Sequence, residues 1–297
     1  MNRHLPSHNN LTMEELQQFL DKVTEEKNHL PIDDFEGYSP VEMHNILYCP
    51  FEDGSVVSLR ELPSEEYKHS PIYMTMKALI AIIVREGQVK LTANGYLPPK
   101  YVTELYAMGY LKEDHIEKGY IRLEKEADSD VISIARMILE SAKVCTKRKS
   151  VLTISKKGMA LLNNDAQLFR LLFTTFTNHF RWAYLDEYGI EDTGQFGVAY
   201  SCILLDKYGD REQPHTFYAR KYFKAYPSLM EGYSAPAIGT LEEYFTHCYS
   251  LRTIDRFFYY WGFIDMRVSQ PYGKLTGIVN TPFFKKVMEC RSPKCKK

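Results

Sequence analysis

Six bases stand between residues 143 and 157, namely Lys143, Lys147, Arg148, Lys149, Lys156 and Lys157, and the surrounding stretch 141–164 contains no Asp or Glu. Clustered ammonium and guanidinium groups with no carboxylate to neutralise them displace counterions from phosphates, which is the chemistry of a nucleic-acid contact. A second basic stretch runs from Met266 onward, with eight bases against the single acid Glu289, whereas residues 1–66 carry fourteen acids against four bases. The net charge of −1 therefore conceals an acidic front and two basic stretches. Duplex DNA or another polyanion is the partner this asymmetry implies. Basic hairpins that are merely solvated, with no partner, are the alternative it leaves open.

Rings interleaved with bases are a further candidate, because aromatics beside Lys or Arg stack single-stranded nucleic acid. The run Phe217-Tyr218-Ala219-Arg220-Lys221-Tyr222-Phe223-Lys224-Ala225-Tyr226 has this composition, but on a helix its bases and rings segregate to two faces. A core face backed by a solvated basic face explains it as well. Metal ligation needs converging Cys, His or carboxylates, and the nearest approach, Cys290 with Cys295, has no second ligand pair after it. The nine histidines are scattered, none at HExxH or HxH spacing, and there is no phosphate-cradling glycine loop and no nucleophile elbow. Adjacent Asp186 and Glu187 fall on an acidic turn, where solvated carboxylates are the ordinary reading. The expectation is a protein with no catalytic residues, cofactor or metal.

The elements that must carry these residues are marked by a phrase that occurs three times, an apolar Leu-Thr strand entering a turn ahead of an amphipathic segment. It reads Lys90-Leu91-Thr92-Ala93-Asn94-Gly95, Val151-Leu152-Thr153-Ile154-Ser155 and, more loosely, Lys274-Leu275-Thr276-Gly277-Ile278. Helical runs precede each one, so the chain reads as mainly α (α+β), with tandem winged-helix-like units, small β-hairpin wings and an N-terminal helical arm. Both basic stretches fall on expected wings. Thr12 and Ser39 read as helix caps, Ser39 with Pro40 behind it and Glu42 three residues on. Ser70-Pro71 opens a helix carrying Met74, Met76, Leu79, Ile80, Ile83 and Val84 as buried positions, and Pro98-Pro99 opens another. Ile116–Leu123 reads as a small hairpin, and Asp130 as the cap of the helix leading to the 143–153 wing. Phe169, Phe173, Phe176, Phe180 and Trp182 lie on one long helix from Asp165 to Tyr184.

At 297 residues, with 44% hydrophobic and 25% charged residues, the chain has the composition of an ordinary globular protein. The expected organisation is an acidic helical arm over 1–70, two winged-helix-like units over 71–185, and a helical region with a third unit over 186–297. The longest apolar run, Ala78–Val84, is too short to span a bilayer. Met1–His8 lacks the apolar core of a leader and the six cysteines have no framework spacing, so a reducing cytoplasmic setting is expected.

The segment Phe35-Glu36-Gly37-Tyr38-Ser39-Pro40-Val41-Glu42-Met43-His44-Asn45-Ile46-Leu47-Tyr48-Cys49-Pro50-Phe51, taken with Lys90–Pro98, resembles a widespread bacterial family. Its members are similar along most of their length, and some resemble the C-terminal parts of proteins that also carry a plasmid-type ORF-3 module or a SEC-C metal-binding motif. Neither module is recognisable here, since the Cys290–Cys295 spacing does not match SEC-C. The resemblance implies the fold and supplies no catalytic residue.

The function these readings favour is non-catalytic binding of nucleic acid through basic wings. The competing class is a protein-interaction scaffold, self-associating or partnered through the aromatics Phe258 and Tyr259. For the acidic arm the expectation is a strap whose Leu16, Phe19, Met43, Ile46 and Leu47 fill grooves on the body. An arm that masks a basic wing is the other possibility.

Overall fold

Local capping chemistry decides where most helices begin. The computed structural model describes residues 12–269 and 274–294. Met1–His8, residues 270–273 just ahead of the third phrase, and Cys295 lie outside them. Helix α1 (Met13–Asn28) starts at Thr12 and α2 (Pro40–Tyr48) at Ser39, each with a reciprocal capping box to Glu15 or Glu42. The two helices then diverge. Met43 and Ile46 of α2 are buried and Leu47 packs against the core, whereas α1 buries nothing. Leu16 and Phe19 therefore do not fill grooves, because α1 meets no complementary surface on the body. Strand β1 (Val57–Leu59) follows and pairs with the last strand of the chain.

The first unit comprises α3 (Pro71–Glu86), β2 (Val89–Lys90), α4 (Pro99–Ala107), α5 (Asp114–Glu117), α6 (Asp130–Ser141), β3 (Cys145–Arg148), β4 (Val151–Ile154) and α7 (Lys156–Leu161). Its sheet has the order β2-β4-β3, antiparallel throughout, with Val89 opposite Leu152 and Cys145 opposite Ile154. The two units expected within 71–185 are thus one. A two-residue strand cannot satisfy its own backbone groups, so β2 completes the sheet of the hairpin sixty residues on instead of forming a wing. Nor is Ile116–Leu123 a hairpin; it begins in α5 and continues through the turn at Gly119. Ser129, not Asp130, caps α6 by accepting from Ile132 N. Val84 lies at the exposed end of α3 rather than in the core.

Helix α8 (Asp165–Asn178) is the central aromatic element, and it stops short of Tyr184. Phe180 N returns to Thr175 O, Trp182 Nε1 donates to Phe176 O, and Trp182–Leu185 forms a separate 3₁₀ turn. Phe169 and Phe173 meet Trp261 edge-on at 5.3 and 5.0 Å, contacts that contribute about 0.5–1.5 kcal/mol each beyond the area they bury.

The second unit runs through α9 (Val198–Tyr208), α10 (His215–Ala225), α11 (Leu241–Tyr249), a π-helix (Ser250–Tyr259) continuous with α11, β5 (Ile264–Ser269), β6 (Lys274–Asn280), α12 (Pro282–Val287) and β7 (Met288–Cys290). Gln213, between α9 and α10, bridges antiparallel to Ile278 of β6. That is the place β2 takes beside β4, so both units share one order: helix, edge strand, helix, long helix, hairpin, short helix. The closing helices match as well, capped by Ser155 and Thr281 through the same hydroxyl-to-N3 bond. The units join where Ile72 N bonds Tyr260 O, and the segment ahead of α3 joins the second unit where Gly262 packs against His69 O and where β1 pairs with β7. No helix among the described residues is long and apolar enough to cross a membrane.

Candidate functional site

The hairpin β3–β4 turns at Lys149 and Ser150, both with positive φ (45° and 59°). A two-residue hairpin needs this backbone to match strand twist, and Asn-Gly normally supplies it. Side chains in the left-handed region cost about 1–2 kcal/mol each, so the tip is strained. Leu152 and Cys145 anchor the hairpin in the core. Lys147 and Arg148, adjacent on β3, are both exposed, and the Lys147 ammonium lies over Gly95 in the preceding turn. Lys143 occupies the left-handed position after α6, where Val144 N bonds Leu139 O and Lys143 N bonds Glu140 O. Lys156 is exposed at the start of α7.

These five bases, Lys143, Lys147, Arg148, Lys149 and Lys156, form no ion pair among the described residues. Lys157 differs, because its ammonium is turned inward to Ala142 O at 3.2 Å, at the carbonyl end of α6. The structure therefore gathers five of the six expected residues on one exposed hairpin and its base. Helix α6 behind them has no exposed residue from Asp130 to Glu140. Arg136 is spent on Glu126 and Glu140, and Glu126 in turn accepts from Leu97 N.

Most of the other bases in these stretches are neutralised within the chain, whereas Arg220 of α10 and Lys294 of the tail are exposed and form no ion pair among the described residues. In the tail, Lys285 pairs with Asp206 and Asp210, Lys286 with Glu66 and Arg291 with Glu289; Lys296 and Lys297 lie outside the described residues. On α10 the aromatic face is buried. Lys221 bonds Glu36 at 2.6 Å and Lys224 bonds Asp34 at 2.8 Å. Burial alone would raise the Glu36 carboxyl, but hydrogen bonds from Lys207, Lys221 and Tyr208 hold it below the ordinary carboxylate range. The acidic arm thus covers α10 rather than a wing.

The remaining candidates resolve into structural roles. Asp186 is not solvated; it is buried against Arg252 and Arg256. Phe258 is fully buried, so of the proposed interaction pair only Tyr259 reaches the surface. Cys290 is half-buried, its thiol pushed up by burial, and no group of metal-ligating side chains occurs among the described residues.

A cleft of about 530 Å³ was not legible in the sequence. Lys112 and Glu113 ahead of α5 and Asp130 of α6 form one wall, and Asp255, Tyr259 and Tyr260 of the π-helix and its continuation form the other. Glu113 is structural, its buried carboxylate accepting from Ser129 Oγ and from Asp130 N at 2.9 Å. Burial raises the Asp255 carboxyl to about 6. The available signal was an acid followed four residues later by Tyr inside the apolar run 254–261.

No family model, no curated protein and no solved structure matches the chain.

Proposed function

We propose that the protein is a non-catalytic nucleic-acid-binding protein of two winged-helix-like units that grips the duplex backbone with the 145–154 hairpin. The shared element order and the β2-β4-β3 sheet support the winged-helix reading. The observation that carries the function is the strained tip presenting Lys147, Arg148 and Lys149 without an acidic partner. Because α6 presents no exposed residue from Asp130 to Glu140, it is not available to enter a major groove, and phosphate contacts position a protein without reading sequence.

Five unpaired bases set a ceiling of roughly −4 to −5 on the slope of log K against log salt. Titration of labelled duplexes of differing sequence at several salt concentrations tests this. Binding should be indifferent to sequence and steeply salt-dependent, and the triple change Lys147→Ala, Arg148→Ala, Lys149→Ala should remove about three from the slope. Absence of binding at low salt would eliminate the reading.

A second reading, protein interaction, is favoured by α1 alone. Met13, Leu16, Phe19 and Leu20 are all exposed, Met13 at 80%. An isolated helix of this length is marginal in water unless its apolar face is covered. A monomer unchanged by Leu16→Ser with Phe19→Ser would argue against self-association through α1.

A further inference from the structure

We infer that the cleft between the α5 approach and the π-helix binds a small organic cation, a molecule whose guanidinium or primary ammonium group sits on Asp255 against the rings of Tyr259 and Tyr260. This site is independent of the basic hairpin.

Asp255 is the centre of the site. It lines the cleft, half-buried, and has no hydrogen bond or ion pair among the described residues. A carboxylate withdrawn from water without a partner is costly. Among the described residues no cation hydrogen-bonds it, and Arg256 acts on it only through its charge. Arg256, next in sequence, is committed to Asp130 at 2.8 Å, Asp186 at 3.3 Å and Leu185 O at 2.8 Å. Lys112 lies over the Tyr106 ring, 4.3 Å from its centroid, and also approaches Glu117. A cation that pairs directly with Asp255 must therefore come from outside.

The cleft itself specifies the chemistry. Glu113, Asp114, Asp130 and Asp255 outnumber Lys112, His115 and Arg256 there, so the balance of charge favours a cation over an anion. The hydroxyls of Tyr259 and Tyr260 have no hydrogen-bond partner among the described residues, and they add acceptors for N–H donors. Their ring faces attract a cation further. The volume, about 530 Å³, suits a small molecule. All three side chains come from the π-helix and the residue after it, and interruptions of α-helical geometry of this kind are frequent at functional sites.

Calorimetric titration of the full chain with agmatine and putrescine tests the site, with 1,4-butanediol as a neutral analogue and glutarate as an anion. One-to-one saturable binding of the two cations, with none of the diol or the anion, is the expected result. Asp255→Asn should weaken the cations at least about tenfold. Tyr260→Phe, which keeps the ring and the packing, should weaken them by a smaller factor. Failure of both cations to bind at about 10 mM, or affinity unchanged in Asp255→Asn with its fold intact by circular dichroism, would overturn the proposal. DNA binding by the same preparation reports separately on the hairpin.

Discussion

The guanidinium of Arg252, fully buried, holds both carboxylate oxygens of Asp186, with Nη2 at 2.7 Å and Nε at 2.9 Å. The same group donates to the carbonyls of Ile190, Glu191 and Thr193. The acidic segment before α9 is therefore wrapped around a residue of the π-helix. This planar fork is a geometry lysine cannot reproduce.

Breaking a buried pair on one side leaves an uncompensated charge, at a cost of about 3–5 kcal/mol. Arg252→Met should lie at the upper end of that range, since it also orphans three carbonyls, and Asp186→Asn lower, since Arg252 keeps those carbonyls. Urea unfolding of the two variants measures the difference. Equal and negligible losses would show that the segment is not held this way.

Glu36 carries a pH dependence of definite sign. Its folded carboxyl lies below the unfolded value, so its contribution is fully present above the unfolded pKa and is lost as pH falls through the folded one. Glu36→Gln should accordingly lower the melting temperature at pH 7 and leave the stability at strongly acidic pH nearly unchanged. The same variant uncovers Lys207 and Lys221, so nonspecific polyanion binding should rise.

Asp255 has the opposite sign. Its folded carboxyl is raised from 3.8 to about 6, so the folded state is favoured while the group is protonated and loses stability as pH rises across that interval. In the absence of ligand, Asp255→Asn should be more stable than the parent at pH 7.5, by about 3 kcal/mol, and nearly equal to it at pH 4. Thermal scans at the two pH values distinguish this from a uniform effect. A variant less stable at both would mean that the carboxylate is satisfied in the folded protein.

Truncation separates the two parts of the acidic arm. Removal of residues 1–28 deletes no buried side chain among the described residues, so the melting temperature should stay within about 2 °C of the parent. Removal of residues 1–48 also deletes Tyr38, Met43 and Ile46, all buried, together with the Glu36 ion pairs, and should destabilise by several kcal/mol. A large loss on the shorter truncation would place α1 against the body after all.

What could be read from the chain was what neighbouring residues decide among themselves. Thr12 and Ser39 cap helices, and Pro99 opens one, because a cap is settled within one turn. The exposed bases from Lys143 to Lys156 were also legible, since no nearby acid could neutralise them. What escaped depends on residues far apart in sequence. That Val89 would pair with Leu152, and Gln213 with Ile278, follows from which hairpin edge each unpaired strand meets. Lys221 is neutralised by Glu36, 185 positions away, and a charge pattern along the chain does not reveal such a pair. The exposure of α1 is likewise nonlocal, for its stripe resembles that of a buried helix until the body is assembled without a groove to receive it. The cleft at Asp255 exists only because the π-helix of one unit closes against the loop before α5 of the other. Caps form from short-range hydrogen bonds and are written locally; burial, pairing and cavities depend on which surfaces meet, and tertiary packing alone decides that.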